Sequence, residues 1–371
     1  MSSSDLYGEL RLRAFAIAYR MLGSVSEAED VVQEAFLRLH QTLQRDEQIT
    51  SPRAYIATLV TRLAIDQFRS ARVRRERYVG EWLPEPLVTD PTPAERAETA
   101  DSLSLAFLVL LESLSPRQRA AFLLREVFEY PYAEVAEIIG TDVDSTRHLV
   151  ARARRQVRER RPRYYASRRQ REELAARFFA AAGQGDLRAL ETLLAHDVAL
   201  HGDGGGKVPA LARPVNGRER VARTVSAGMS ALARFDVRIQ VTEVNGQPGA
   251  MAFDAQDRLV AVIGLDITDG QIQTIHAIVN PDKLRHLDRV SDLGTRLRAG
   301  RRPPATAEPL ADLTATSARA TRPTRNAHNL EREIHALSIG TGLLAAVLLV
   351  STRCSCPGRR WPPWARPRNG S

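Results

Sequence analysis

The sequence predicts two all-helical modules, then an α+β domain, then an extended tail. Apolar residues recur at helical spacing from residue 6 to about residue 160, with one proline cluster between the modules. From residue 236 the pattern changes to strand-like runs with Asn-Gly and Asp-Gly turns among them. Beyond residue 288 the periodicity gives way to Arg, Pro, Ala and Thr, a composition that reads as disorder.

The elements follow in order. Leu12, Phe15, Ala16, Tyr19 and Leu22 line one face of a first helix, which Gly23 stops. Ser26 with Glu29 three residues on reads as a capping box that opens a second helix. There Val31, Val32, Ala35, Phe36 and Leu39 make an apolar stripe and leave Asp30, Gln33, Glu34 and Arg38 outside. Ser51-Pro52 is a cap followed by proline at the first helical position. The third helix that follows buries Ile56, Leu59, Val60, Leu63, Ala64 and Phe68. Its outer side and end carry Arg62, Arg69, Arg72, Arg74, Arg75 and Arg77. Pro84, Pro86, Pro91 and Pro93 forbid a continuous helix over 78–100, which reads as a linker. A solvated linker gains nothing from Trp82-Leu83, so that pair is expected to pack on a neighbouring helix.

In the second module, Leu103–Leu114 is strongly apolar and Ser115-Pro116-Arg117-Gln118 repeats the cap with N1 proline. Helices at about 132–139 and 144–160, joined by a turn at 140–143, have the spacing of a helix-turn-helix. Val135, Ala136, Ile138, Ile139 and Val143 are expected to pack on Leu149, Val150, Ala153 and Val157. Arg147, His148, Arg152, Arg154, Arg155 and Arg158 are left outward.

From 172 to 287 the expected order is one or two helices broken near 183–186, a short strand at Val198–His201 and a glycine-rich loop. A helix at about 217–232 and strand runs at 236–244, 250–254, 258–266 and 271–279 follow. Helices followed by a meander indicate a curved sheet that wraps its helices.

Charge sharpens this division. The net +9 separates into +3 over 1–171, −2 over 172–287 and +8 over 288–371. Residues 1–146 carry 16 arginines against 23 acidic residues, whereas 147–171 carry 11 arginines against Glu159 alone. So sharp a basic patch suits a polyanion. Cys354 and Cys356 are the sole cysteines, which excludes a disulfide framework and a cysteine-rich metal site and fits a reducing, cytoplasmic setting. No stretch reaches the ~18–20 apolar residues of a membrane span, Ala336–Val350 included, and Met1–Arg20 lacks a signal-peptide pattern.

An α-helix fits the DNA major groove, where arginine reads guanine edges and neutralises phosphates. Two basic helical modules on a flexible linker could therefore grip two separated DNA sites. This order resembles the extracytoplasmic-function sigma factors of bacterial RNA polymerase. AYRMLGSVSEAEDVVQEAFLRLH (Ala18–His40) is similar to the family's polymerase-clamp region. SPRAYIATLVTRLAIDQFRS (Ser51–Ser70) is similar to its minus-ten helix, and LSPRQRAAFLLREVFEYPYAEVAEIIGTDVDSTRHLVARARRQ (Leu114–Gln156) to its minus-thirty-five domain. WLPEP (Trp82–Pro86), DGGGK (Asp203–Lys207) and NPDKL (Asn280–Leu284) resemble marks of a subgroup with a C-terminal SnoaL-like domain in place of a separate anti-sigma partner.

The resemblance implies a sigma region 2 at 1–77, a linker at 78–100, a region 4 at 101–168, a SnoaL-like cone at 172–287 and a disordered tail at 288–371. It implies a non-enzymatic, cytoplasmic protein, monomeric when free, whose partners are core RNA polymerase and promoter DNA, with no cofactor or metal. Asp30, Gln33 and Glu34 would meet the polymerase. Arg62, Arg69, Arg72 and Arg74 would hold the melted strand, and Arg147, His148, Arg152 and Arg155 the upstream element. His148 stands where the wider class has a small polar residue. Trp82, Leu83, Pro84, Asp203, Gly204, Gly205, Gly206, Lys207, Asn280, Pro281, Asp282 and Lys283 would form an intramolecular regulatory contact. Two alternatives stay open for the cone: a small ligand sensed in its pocket, or isomerase or cyclase chemistry. For the latter the candidate acids are Asp203, Asp254 and Asp266, assisted by His201 and His276.

Overall fold

The computed structural model describes residues 3–45, 49–88, 102–158, 167–292 and 294. The first module is α1 (Ser3–Leu22), α2 (Val25–Gln44) and α3 (Pro52–Glu76). The second is α4 (Leu105–Leu111), α5 (Pro116–Glu126), α6 (Tyr132–Ile139) and α7 (Val143–Arg158), the last two forming the helix-turn-helix. Ser51 caps α3, and Ser115 with Gln118 closes the expected capping box on α5. Two N-terminal details differ from the sequence reading. Leu12 is 69% exposed, because α1 buries Leu10, Ala14, Ile17, Ala18 and Met21 instead. The cap of α2 is Ser24, whose hydroxyl accepts from the Glu27 amide. Ser26 is displaced from that role because Glu85, sixty residues away, reaches the helix end. Its carboxylate accepts from the amides of Val25 (2.6 Å) and Ser26 (3.2 Å) and from both serine hydroxyls. An acidic group suits the positive end of a helix.

The two modules are not separate beads. One continuous apolar cluster runs from Ala14, Val60 and Phe68 of the first to Leu111, Phe122, Ile138 and Val157 of the second. Arg119 is wholly buried where they meet. It donates to the Arg20 carbonyl (2.9 Å) and to Glu112 (2.6 Å), and Glu112 also pairs with Arg75 of α3.

The α+β domain comprises α8 (Arg168–Gln184), α9 (Leu187–Leu193), β1 (Leu194–Asp203), β2 (Val215–Asn216), α10 (Arg218–Ala233), β3 (Arg238–Val244), β4 (Gln247–Phe253), β5 (Leu259–Thr268), β6 (Gln271–Ile278) and a 3₁₀ turn at Pro281–Lys283. The sheet order is β2-β1-β6-β5-β4-β3. The meander β3–β6 is antiparallel as expected, whereas β6 returns parallel to a β1 that is longer than its apolar centre suggested. Asn245-Gly246 and Asp269-Gly270 take positive φ at both positions, the conformation of a type I′ hairpin turn.

Both sheet faces are covered. Ile263, Leu265, Ile275 and Leu200 face α8, α9 and α10. On the opposite face Val262, Met251, Phe253 and Ile278 pack with Leu83 of the linker and Leu105 of α4. That explains why β5 reads as an unbroken apolar run, Leu259–Leu265, rather than an alternating one. The linker also joins the sheet edge, through a bridge between Val88 and Val244. Likewise 289–291 attaches to β5: Leu259 donates to the Arg289 carbonyl and Ser291 donates to the Leu259 carbonyl. The expected boundary at 288 is thus displaced by the segment's pairing with a strand end. The rest of the expected disordered tail, with Ala336–Val350, Cys354 and Cys356, lies outside the described residues, as do 89–100 of the linker and residue 101.

Leu111 is fully buried where the two helical modules share their core. Leu111→Ala should cost about 2–5 kcal/mol of unfolding free energy, while Leu12→Ala should stay within about 0.5 kcal/mol. Equilibrium denaturation of the two variants checks the contrast.

Candidate functional site: two basic helices and an interdomain junction

Asp30 and Gln33 are exposed on α2, and Glu34 is half-buried and paired with Arg38 at 2.7 Å. Leu37, one turn further along the same face, is 58% exposed, an apolar element at the outward spacing of Asp30, Gln33 and Glu34.

The basic helices are partly occupied by their own chain. On α3, Arg62 Nε donates to the Ile138 carbonyl and Nη2 to the Glu137 carbonyl, both at 3.0 Å. These oxygens lie at the C-terminal end of α6, where the helix dipole is negative. Arg69 pairs with Asp66 (3.1 Å), Arg74 pairs with Glu27, and Arg72 is exposed. On α7, Arg147, His148, Arg152 and Arg155 face solvent, with Arg147 paired to Asp144 at 2.9 Å. Arg154, read from sequence as outward, instead grips Glu126 through two hydrogen bonds of 2.8 and 2.6 Å.

The junction centres on Asp203, at the end of β1 and wholly buried. Oδ1 accepts from the Tyr78 hydroxyl (2.5 Å) and the Gly205 amide (3.1 Å). Oδ2 accepts from the Leu83 amide (2.8 Å) and Lys283 Nζ (2.7 Å). Lys283 also donates to the Leu83 carbonyl, and Asn280 Nδ2 donates to the Tyr78 oxygen at 2.7 Å. A buried carboxylate is tolerated only when paired and saturated with donors, and here the donors come from the linker, the DGGGK loop and the NPDKL turn together. Burial pulls the Lys283 ammonium below its ordinary pKa, with Asp203 opposing that pull. Burial, reinforced by the Asp203 charge, pushes the Tyr78 phenol upward.

Around this pair the packing is equally specific. Two cations contact the Trp82 ring, Arg75 at 3.6 Å and Lys283 at 4.2 Å from its centroid. Each such contact contributes about 0.5–2 kcal/mol. Pro84 packs on Gly23. Gly205 and Gly206 have φ of +58° and +68°, and a Cβ on them would meet Asn280 Nδ2 at 2.3 Å and Val79 Cβ at 2.9 Å. Both conformation and closeness therefore require glycine. Gly204 is pressed on Val208 and Ala210. Lys207 pairs with Asp282 at the surface, and Pro281 opens the 3₁₀ turn that Asn280 caps. A second knot was not legible in the sequence, which marked Asn245 only as a turn residue. Its Nδ2 donates to the Tyr19 hydroxyl (2.8 Å) and the Leu103 carbonyl (3.0 Å), its Oδ1 accepts from the Leu87 amide (2.8 Å), and its amide donates to the Leu87 carbonyl (2.7 Å). One side chain thus ties the hairpin turn to the linker and both helical modules.

The candidate acids do not converge. Asp203 is spent on the junction. Asp254 holds the β4–β5 turn through Gln256, Arg258 and Ser291. Asp266 and His276 line a cleft on the sheet face that α4 covers. The helix-covered side holds a cavity of about 10 Å³ lined by Phe178, Phe179, Val225, Met229, Ile263 and Ile275, without a titratable group. Among the described residues no cluster of His, Cys, Asp or Glu has the makings of a metal site, and no helix is long and apolar enough to cross a membrane.

Comparison with known proteins fits this architecture. Residues 6–74 match the family model for sigma-70 region 2, and residues 104–157 match that for sigma-70 region 4. The ECF RNA polymerase sigma factor SigJ of Mycobacterium tuberculosis is 38% identical over 289 residues, 74% of this chain and 90% of the relative. The probable ECF RNA polymerase sigma factor SigI of the same organism is 34% identical over 271 residues, 72% of this chain and 90% of the relative. The crystal structure of the M. tuberculosis extracytoplasmic function sigma factor SigJ superimposes with a TM-score of 0.60 at 33% identity, covering 76% of this chain and 98% of that one.

Removing one member of the Asp203–Lys283 pair strands the other charge. Asp203→Asn and Lys283→Met should each destabilise by about 3–5 kcal/mol, and the double variant by clearly less than their sum. A denaturation double-mutant cycle measures this; additive losses would mean the two groups do not interact.

Proposed function

This chain belongs to the extracytoplasmic-function sigma factors, non-enzymatic subunits that bind core RNA polymerase and promoter DNA to direct transcription initiation, and we propose that its SnoaL-like domain gates that activity from within. The division we infer is region 2 at 1–77, linker at 78–100, region 4 at 101–168 and the gating domain at 172–287, acting in the cytoplasm as a monomer until polymerase binds. Asp30, Gln33 and Glu34 meet the polymerase. Arg62, Arg69, Arg72 and Arg74 hold the melted minus-ten strand, and Arg147, His148, Arg152 and Arg155 contact the minus-thirty-five element.

The observation that carries the reading is the buried Asp203–Lys283 pair, which binds the linker between the two sigma modules to the sheet domain. Promoter elements centred near minus ten and minus thirty-five lie about 85 Å apart along a duplex rising ~3.4 Å per base pair. Arg62 of α3 and the end of α6 are in hydrogen-bond contact, so the compact arrangement does not span that distance. Arg62 also serves only one partner at a time, the carbonyls of α6 or a phosphate. Because the gating domain is tethered, its local concentration is high and a contact of a few kcal/mol sets the balance of compact and open forms. Ligand sensing gains no support from a cavity of about 10 Å³, roughly one water in size.

Run-off transcription with purified core enzyme tests the gate, comparing full-length protein, a chain ending at 292 and a chain ending at Gln170. Release of the junction should change promoter output, and Gly205→Ala with Gly206→Ala in the full chain should change it in the same direction. Equal output from all of them would dismiss the gate.

A further inference from the structure

His276 lies on the sheet face that the helical modules cover and is 2% exposed. Its cross-strand partner is Gly264 of β5, and Leu105 of α4 approaches there so closely that a Cβ on Gly264 would come within 2.7 Å of its Cδ1. The start of α4 (Ser104, Leu105 and Ala106) closes the cleft beside the imidazole. Neither nitrogen of His276 has a hydrogen-bond partner among the described residues. An imidazole so enclosed has no acceptor for a second proton. Its cover comes from a different module, so separation of the modules is what brings it to water.

The charged and titratable groups around it are few. From β1, His201 stacks on its ring at 5.4 Å between centroids, and His201 Nδ1 donates to Glu81 of the linker at 2.6 Å. From β5, Asp266 lines the same cleft, while α4 and β4 contribute only uncharged Ser104, Leu105, Ala106 and Gln247.

We infer that His276 couples the gate to protons: it accepts one only when the helical modules lift from the sheet, so acidification favours the open sigma factor. This rests on the gating reading above. Burial, with a smaller contribution from His201, lowers the His276 pKa from 6.5 to about 3 in the compact form. The open form, with an ordinary imidazole, takes up the proton first. The advantage of the compact form is therefore complete above about pH 6.5 and is lost progressively below it, down toward pH 3. Between pH 7.5 and 5.5 the compact-to-open ratio should fall about tenfold on this account.

Trp82 supplies the readout, because opening removes Lys283 from its ring. The chain has three tryptophans, Trp82, Trp361 and Trp364, so full-length protein carrying Trp361→Phe and Trp364→Phe reports on Trp82 alone. The compact-to-open ratio is followed by its emission at low urea, at pH 7.5 and 5.5, in that background and with His276→Phe or His276→Gln added. Other histidines at the junction, His201 and His286, are unchanged in every version, so the signal is the difference between versions. A ratio that falls about tenfold more with His276 present than in both variants is the expected result. An equal pH response with and without His276 overturns the inference. Run-off transcription at pH 7.5 and 6.0 keeps the two readings distinguishable: His276-dependent opening without a matching change in output would sink the gate and leave the proton linkage standing.

Discussion

A carboxylate with no access to water anchors this molecule. Asp203 carries a charge at the buried end of a strand, and no single segment supplies its partners. An unpaired charge there would be prohibitively costly. The linker, the glycine loop and the 3₁₀ turn must therefore arrive together or not at all. That makes the junction cooperative: a saturated buried ion pair is either intact or lost.

Several cations of α3 are engaged within the chain. Of the arginines expected on phosphates, Arg62 donates to helix carbonyls and the exposed Arg74 pairs with Glu27; Arg75 beside them engages Glu112, the Leu22 carbonyl and Trp82. Binding a polyanion draws on unneutralised basic charge, and on α3 part of that charge is paired within the chain, Arg69 with Asp66 and Arg74 with Glu27. The face of α7, by contrast, keeps Arg147, His148, Arg152 and Arg155 in solvent.

Much of this was legible along the chain. Helical periodicity, the Ser51 and Ser115 caps and the two type I′ turns are short-range signals, and each is where the residues place it. WLPEP, DGGGK and NPDKL meet around Asp203, and the linker tryptophan packs as a solvated linker would not allow. Misreadings arose where a distant group intervened. Ser26 lost its cap role to Ser24 because Glu85 supplies the acceptors at that helix end. Asp254 and Asp266 looked like candidate acids on residue type alone, yet one holds a turn and the other faces away from the helix-covered cavity. Asn245 gave no hint that its amide would join three modules.

Sequence by itself determined the elements, the class of each module and the family, because those depend on side chains within a few residues of one another. Tertiary structure alone decided that the second sheet face is covered by the sigma modules rather than by water. It alone decided that β6 runs parallel to β1, and that Arg62, Asn245 and His276 sit at module boundaries. These outcomes follow from burying two apolar faces and one charge at once. That balance is struck among residues more than seventy positions apart, and no local pattern records it.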